Sequence, residues 1–140
     1  MKVTLKQQNG LFYFLGKSEN GVEVKIDASP DIGGEEKGVR PMELLLYGIG
    51  GCSAIDVVLV LKKQKEEVTN ISLEIEGFRE KIGEASPFKK INVHFIIEGK
   101  NISSSKVERA IKLSMEKYCS ATKTLEAGVE ITHSYTILEG

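Results

Sequence analysis

Two residues of this sequence can carry covalent chemistry of their own, Cys52 and Cys119. Cys52 stands in Gly50-Gly51-Cys52-Ser53-Ala54, within a long apolar run that also holds Gly48. A glycine inside a helix costs up to about 1 kcal/mol against alanine. Three of them so close together imply that another backbone, from a packed helix or a partner subunit, approaches closely. The same lack of bulk leaves a path to the sulfur. The plainer alternative is a small buried hydrophobe, a common fate of free cysteine. Cys119 follows Glu116-Lys117-Tyr118 and precedes Ser120. A thiol at a helix start or beside a cation has its thiolate favoured; otherwise Cys119 is a core cysteine at a helix boundary. Their separation in sequence does not say whether the two meet.

Other polar groups stand near the first cysteine in sequence. Arg40-Pro41-Met42-Glu43 precedes the apolar run. Arg40 and Glu43 can pair with each other, position a small polar substrate, or serve as a solvated arginine and a helix N-terminal charge. Glu43 lies about 13 to 14 Å from Cys52 along a straight helix axis. They become neighbours only if the helix breaks at the glycines or a second subunit contributes. Asp56 follows Cys52 by one helical turn, on the same face. A carboxylate there opposes thiolate formation, or binds an amide or a cation from another element. His133 fits the apolar face of the last strand as a core histidine, and His94 fits an exposed polar face. With only two histidines and no Cys-x-x-Cys pair, no metal site is expected.

The elements that position these residues can be read from pattern. Val3 and Leu5 alternate with polar neighbours, Leu11 to Leu15 is a β-type run, and Val22, Val24 and Ile26 alternate again. Asn9-Gly10 and Asn20-Gly21 predict the turns between them. Residues 28–40 form a loop. Pro41 suits the first turn of a helix, Glu43 its positive end, and Lys62, Lys63 and Lys65 its negative end. Two long strands follow, around Ile71–Glu76 and Ile91–Glu98. Ser105 with Glu108 predicts a capping box for a second helix, with Val107, Ala110, Ile111, Ser114 and Tyr118 inward. Ser120 is expected to cap a further turn through Leu125, closed by Gly128. The last strand carries Val129, Ile131, His133, Tyr135 and Ile137 on one face. The order βββ-α-ββ-α-β predicts an α+β fold, with antiparallel sheets packed on a central helix.

Composition limits the rest. The chain of 140 residues suits a single domain, 1–140. Nineteen basic residues nearly balance twenty acidic ones, so no nucleic acid or anionic membrane is expected as a partner. The N-terminus alternates polar and apolar residues without a signal-type apolar core, which makes the cytoplasm the expected location and reduced thiols the expected state. Leu44 to Leu61 approaches membrane-span length, but its glycines and Asp56 favour a buried central helix.

Taken together, the segments resemble the OsmC/Ohr family. The likeness rests on Arg40-Pro41-Met42-Glu43-Leu44-Leu45, on Gly50-Gly51-Cys52-Ser53, and on Glu116-Lys117-Tyr118-Cys119-Ser120. It is nearest to the subgroup with Gly-Gly-Cys-Ser-Ala-Ile-Asp-Val-Val and Ile-Thr-His-Ser-Tyr. The resemblance implies an intertwined homodimer with two sheets outside and the cysteine-bearing helices inside. It also implies a cysteine-based peroxidase for organic hydroperoxides or hydrogen peroxide, working in oxidative-stress defence. Cys52 would attack and Cys119 resolve, with Arg40 and Glu43 as activators. A dithiol reductant would reset the pair, and no cofactor is implied. Two features depart from the hydroperoxide-resistance branch. Met42 stands where its activating carboxylate commonly follows the proline, and no arginine precedes Arg40. The alternative is a redox-sensing or small-ligand-binding protein without turnover.

Overall fold

The structure, a computed structural model, describes residues 1–140. It contains two three-stranded sheets and three α-helices, an α+β fold in the expected order. The chain divides into two compact units, Met1–Leu45 and Leu46–Gly140.

The first unit is an antiparallel meander of β1 (Val3–Gln7), β2 (Phe14–Ser18) and β3 (Glu23–Ile26). Asn20-Gly21 forms its predicted turn, with Gly21 at φ 88° and the Ser18 amide bonded to the Val22 carbonyl. The other connection differs from expectation. β2 starts only at Phe14, and Leu11, Phe12 and Tyr13 belong to the loop. The Gln8 amide reaches over that loop to the Tyr13 carbonyl at 2.8 Å.

After β3 the chain turns through a short 3-10 segment, Pro30–Ile32. The organiser of this loop is Asp27, which is 2% exposed. Its carboxylate accepts the amides of Ala28, Glu35 and Lys37 at 2.8, 3.1 and 3.2 Å. Burial pushes the Asp27 carboxyl up, but the three amides and the Lys37 ammonium outweigh it, so the net shift is downward. Gly38 fits because any side chain would run into the backbone at Lys25 and Ile26.

Helix α1 (Pro41–Lys63) runs unbroken through the glycines. It ends in a left-handed residue, Lys65, at φ 59°, with the Glu66 amide returning to the Leu61 carbonyl at 3.1 Å. By length and composition α1 could cross a membrane. One face is buried, through Ile49, Gly50, Ser53, Val57 and Leu61. Tyr47, Ile55, Val58 and Leu59 are exposed on this chain, so the helix is not buried all round as its hydropathy suggests.

The second unit carries β4 (Glu67–Arg79), β5 (Phe88–Lys100) and β6 (Glu130–Glu139). β4 and β5 are antiparallel, whereas β6 lies parallel to β5, so this sheet is mixed where an antiparallel one was expected. A parallel neighbour needs a crossover connection. That crossover is α2 (Ser104–Leu113), a π-helical turn (Ser114–Tyr118) and α3 (Ser120–Leu125). The core gathers Ile91, Val93, Phe95 and Ile97 of β5 with Val57 and Leu61 of α1 and Val107, Ala110 and Ile111 of α2. Each of these side chains larger than alanine contributes roughly 1.5–3 kcal/mol by leaving water.

Several local expectations are corrected. The cap of α2 is Ser103, whose hydroxyl accepts the Lys106 amide, so Ser105 and Glu108 form no capping box. Tyr118 is exposed and Met115 is buried instead, because the π turn changes the phase of the helix. His133 pairs with Val93 on the core-facing side of the sheet but is exposed, because β6 is an edge strand. His94 is half-buried, with its ring nitrogens 2.7 and 3.0 Å from the Ser134 and Thr136 hydroxyls.

Candidate functional site

The two cysteines meet in the second unit. α1 presents Cys52, and the crossover presents Cys119 at the end of the π turn. The cysteine pair is separated by 3.6 Å. Both sulfurs and a carboxylate oxygen of Asp56 lie within 4.8 Å of one another. Both cysteines are free thiols.

Each donor is held by identifiable bonds. The Cys119 amide bonds to the Ser114 carbonyl at 2.7 Å, five residues back, which is the hydrogen bond of a π turn. The extra residue in that turn sets where Cys119 emerges. Its sulfur then caps α3 by accepting the Thr122 amide at 3.4 Å. The expectation that Ser120 caps α3 is therefore corrected by one residue. On α1, the buried Ser53 hydroxyl bonds to the Ile49 carbonyl at 2.8 Å, so the helix interior holds no orphaned polar group at that position. Gly50 lets α1 approach the sheet: a Cβ there would stand 2.6 Å from Ile75. Gly48 and Gly51 face open space.

Asp56 binds a hydroxyl from another element, where an amide or a cation was expected. Its Oδ2 accepts the Ser114 hydroxyl at 2.9 Å, and that hydroxyl also approaches the Ser53 carbonyl at 3.4 Å. Ser114 was legible only as an inward-facing residue of α2. Its part in the site is new, and no local signal in the sequence marks it.

The two thiols differ in setting. Cys119 is fully buried and Cys52 is half-buried. Burial pushes the Cys119 thiol up, hydrogen bonds from Thr122 offset part of this, and the neighbouring Cys52 adds to the rise. The arrangement can close a disulfide with little movement, since the sulfurs need to approach only to about 2.05 Å. Two thiolates and a carboxylate at these distances can also hold a metal ion.

Arg40 and Glu43 lie in the first unit, at the start of α1, and both are exposed. The Glu43 carboxylate accepts the Arg40 amide at 2.8 Å, which closes the helix N-terminus.

With this geometry in view, the likeness to known proteins is informative. A family model described as OsmC-like protein matches residues 34–134. The chain is 39% identical to Protein YhfA of Escherichia coli (strain K12), over 99% of this chain and 98% of that one. A hypothetical protein from Aquifex aeolicus VF5 has a crystal structure that superposes with a TM-score of 0.84 at 31% identity, covering 99% and 96% of the two chains. The organic hydroperoxide resistance protein OhrB of Bacillus subtilis shares the fold, with a TM-score of 0.65 at 22% identity and 96% of each chain covered. The buried crossover cysteine, the glycine-flanked helix cysteine and the two-sheet architecture therefore have one explanation: this chain belongs to the OsmC-like protein family.

Proposed function

We propose that this protein is a homodimeric, thiol-dependent peroxidase for organic hydroperoxides or hydrogen peroxide. The observation that carries the reading is the 3.6 Å approach of Cys52 and Cys119 as free thiols. Shared fold with an organic hydroperoxide resistance protein supports it.

The Cys52 thiolate attacks one peroxide oxygen. An S–O bond forms, the O–O bond breaks, and the alcohol or water leaves with a proton. Cys52 becomes a sulfenic acid. Cys119 then attacks the Cys52 sulfur, an S–S bond forms, and water departs with the Cys119 proton. A dithiol reductant returns both thiols by exchange and is itself oxidised to a disulfide. The half-buried Cys52 suits the attacking role, and the buried Cys119, 3.6 Å away, suits resolution by its proximity.

The second copy of the chain belongs to this reading. Gly48, Gly51, Ile55 and Val58 follow one another at helical spacing on the exposed face of α1. Nothing within the chain explains the two glycines, and close approach of another helix would. A homodimer covers that face. It also offers Arg40 and Glu43 of the second copy as activators of Cys52, since α1 does not break at the glycines.

The test is peroxide consumption with a dithiol reductant, comparing wild type with Cys52→Ser and Cys119→Ser. The expected result is loss of turnover in both variants. Equal rates in all three sink the proposal. A single oxidation of the pair without turnover supports the redox-sensing alternative. Sedimentation in detergent-free buffer tests the dimer, and a requirement for detergent or lipid contradicts it.

A further inference from the structure

We propose that Cys52, Cys119 and Asp56 also form a three-ligand site for a thiophilic divalent cation, zinc above all, with the fourth coordination position open. This departs from the sequence-based expectation of no metal and does not depend on the peroxidase reading.

The geometry fits tetrahedral zinc. With zinc–sulfur bonds of about 2.3 Å, two thiolates in a tetrahedral site stand about 3.8 Å apart. The cysteine pair here stands at 3.6 Å. The third donor, an Asp56 oxygen, already lies within 4.8 Å of both sulfurs, so a side-chain adjustment of about 1 Å brings it to bonding range. Two sulfurs with one oxygen favour zinc over magnesium or calcium, which take oxygen donors.

The surroundings hold the donors as a metal site requires. Ser114 donates to Asp56 Oδ2 and leaves the other carboxylate oxygen free to bind. The Thr122 amide donates to the Cys119 sulfur and would share its negative charge. Such supporting bonds orient metal ligands and tune their donor strength. Cys52 and Asp56 are only half-buried, which gives an ion a way in. Two thiols lose their protons on binding, and the bound ion carries no redox change.

Occupancy has a chemical consequence. A sulfur bound to zinc is not free to form the disulfide, so the ion would hold the pair reduced and silent toward peroxide.

The experiment uses full-length reduced protein, titrated anaerobically with cobalt(II) alone and then with zinc(II). The expected result is one equivalent of cobalt bound, with thiolate-to-cobalt absorption in the near ultraviolet, displaced by one equivalent of zinc. Cys52→Ser and Cys119→Ser should each lose about half or more of that absorption. Asp56→Asn should weaken binding about tenfold or more, and Ser114→Ala by roughly ten- to a hundredfold. Absence of the absorption at one equivalent overturns the proposal. So does unchanged affinity in both Asp56→Asn and Cys119→Ser, which would mark adventitious binding. Circular dichroism shows that each variant is folded; if Asp56→Asn is not, the cysteine variants decide. Because no peroxide is present, failure of this test leaves the peroxidase reading intact, and loss of peroxidase turnover leaves this one intact.

Discussion

The two units of this chain are held together by different physics. In Leu46–Gly140 the buried residues are mostly apolar: every buried apolar side chain of the protein belongs to this unit. In Met1–Leu45 the only buried residues are Gly16 and Asp27. Val3, Leu5, Leu11 and Val22 are all more than half exposed. The second unit is shaped by burial, and the first by backbone pairing and by one carboxylate that gathers three amides. The two neighbouring cysteines sit in the unit shaped by burial.

The largest expected effect breaks this contrast directly. Phe95→Ala removes a fully buried ring and should cost about 3–5 kcal/mol in denaturant unfolding. Leu11→Ala, at an exposed position, should change stability by no more than about 0.5 kcal/mol. Equal effects would mean that the first unit has a core of its own.

Adjacent glycines provide a sharper test. Gly50→Val drives a side chain into Ile75 and should destabilise the fold by roughly 1–3 kcal/mol. Gly51→Val meets nothing within the chain. It should leave the monomer's fold intact while weakening self-association in sedimentation. A Gly51→Val protein that still dimerises with wild-type affinity removes α1 from the proposed interface.

The smallest effect concerns acid. The Asp27 carboxyl is held below its ordinary value in the folded chain. Its contribution to stability is full above the unfolded-state value and falls away as pH drops through the lower folded value. Asp27→Asn should flatten that part of the stability–pH curve. An identical acid limb in the variant would show that the three amides do not hold the charge.

Much of the fold was legible in the sequence. Alternation at Ile71–Ile75 and Ile91–Ile97 marked β4 and β5, and Pro41 with the late lysines bounded α1. Leu11–Tyr13 misled because an apolar run carries no sign of whether a partner strand faces it. Tyr118 and Met115 exchanged places because a π turn adds a residue that helical periodicity does not foresee. The site was only half legible. Both cysteines stood out by type, and Asp56 by its spacing from Cys52. Their convergence with Ser114 depends on the crossover that makes β6 parallel to β5, which no local pattern encodes.

The central claim is that Cys52 and Cys119 act as one redox pair. The most direct measurement is peptide mapping by mass spectrometry after reduced protein meets one equivalent of an organic hydroperoxide. The account predicts an intrachain Cys52–Cys119 disulfide in wild type, and a trappable sulfenic acid at Cys52 in Cys119→Ser. Thiols that stay free in excess peroxide, or a disulfide joining Cys52 of two chains, would contradict it.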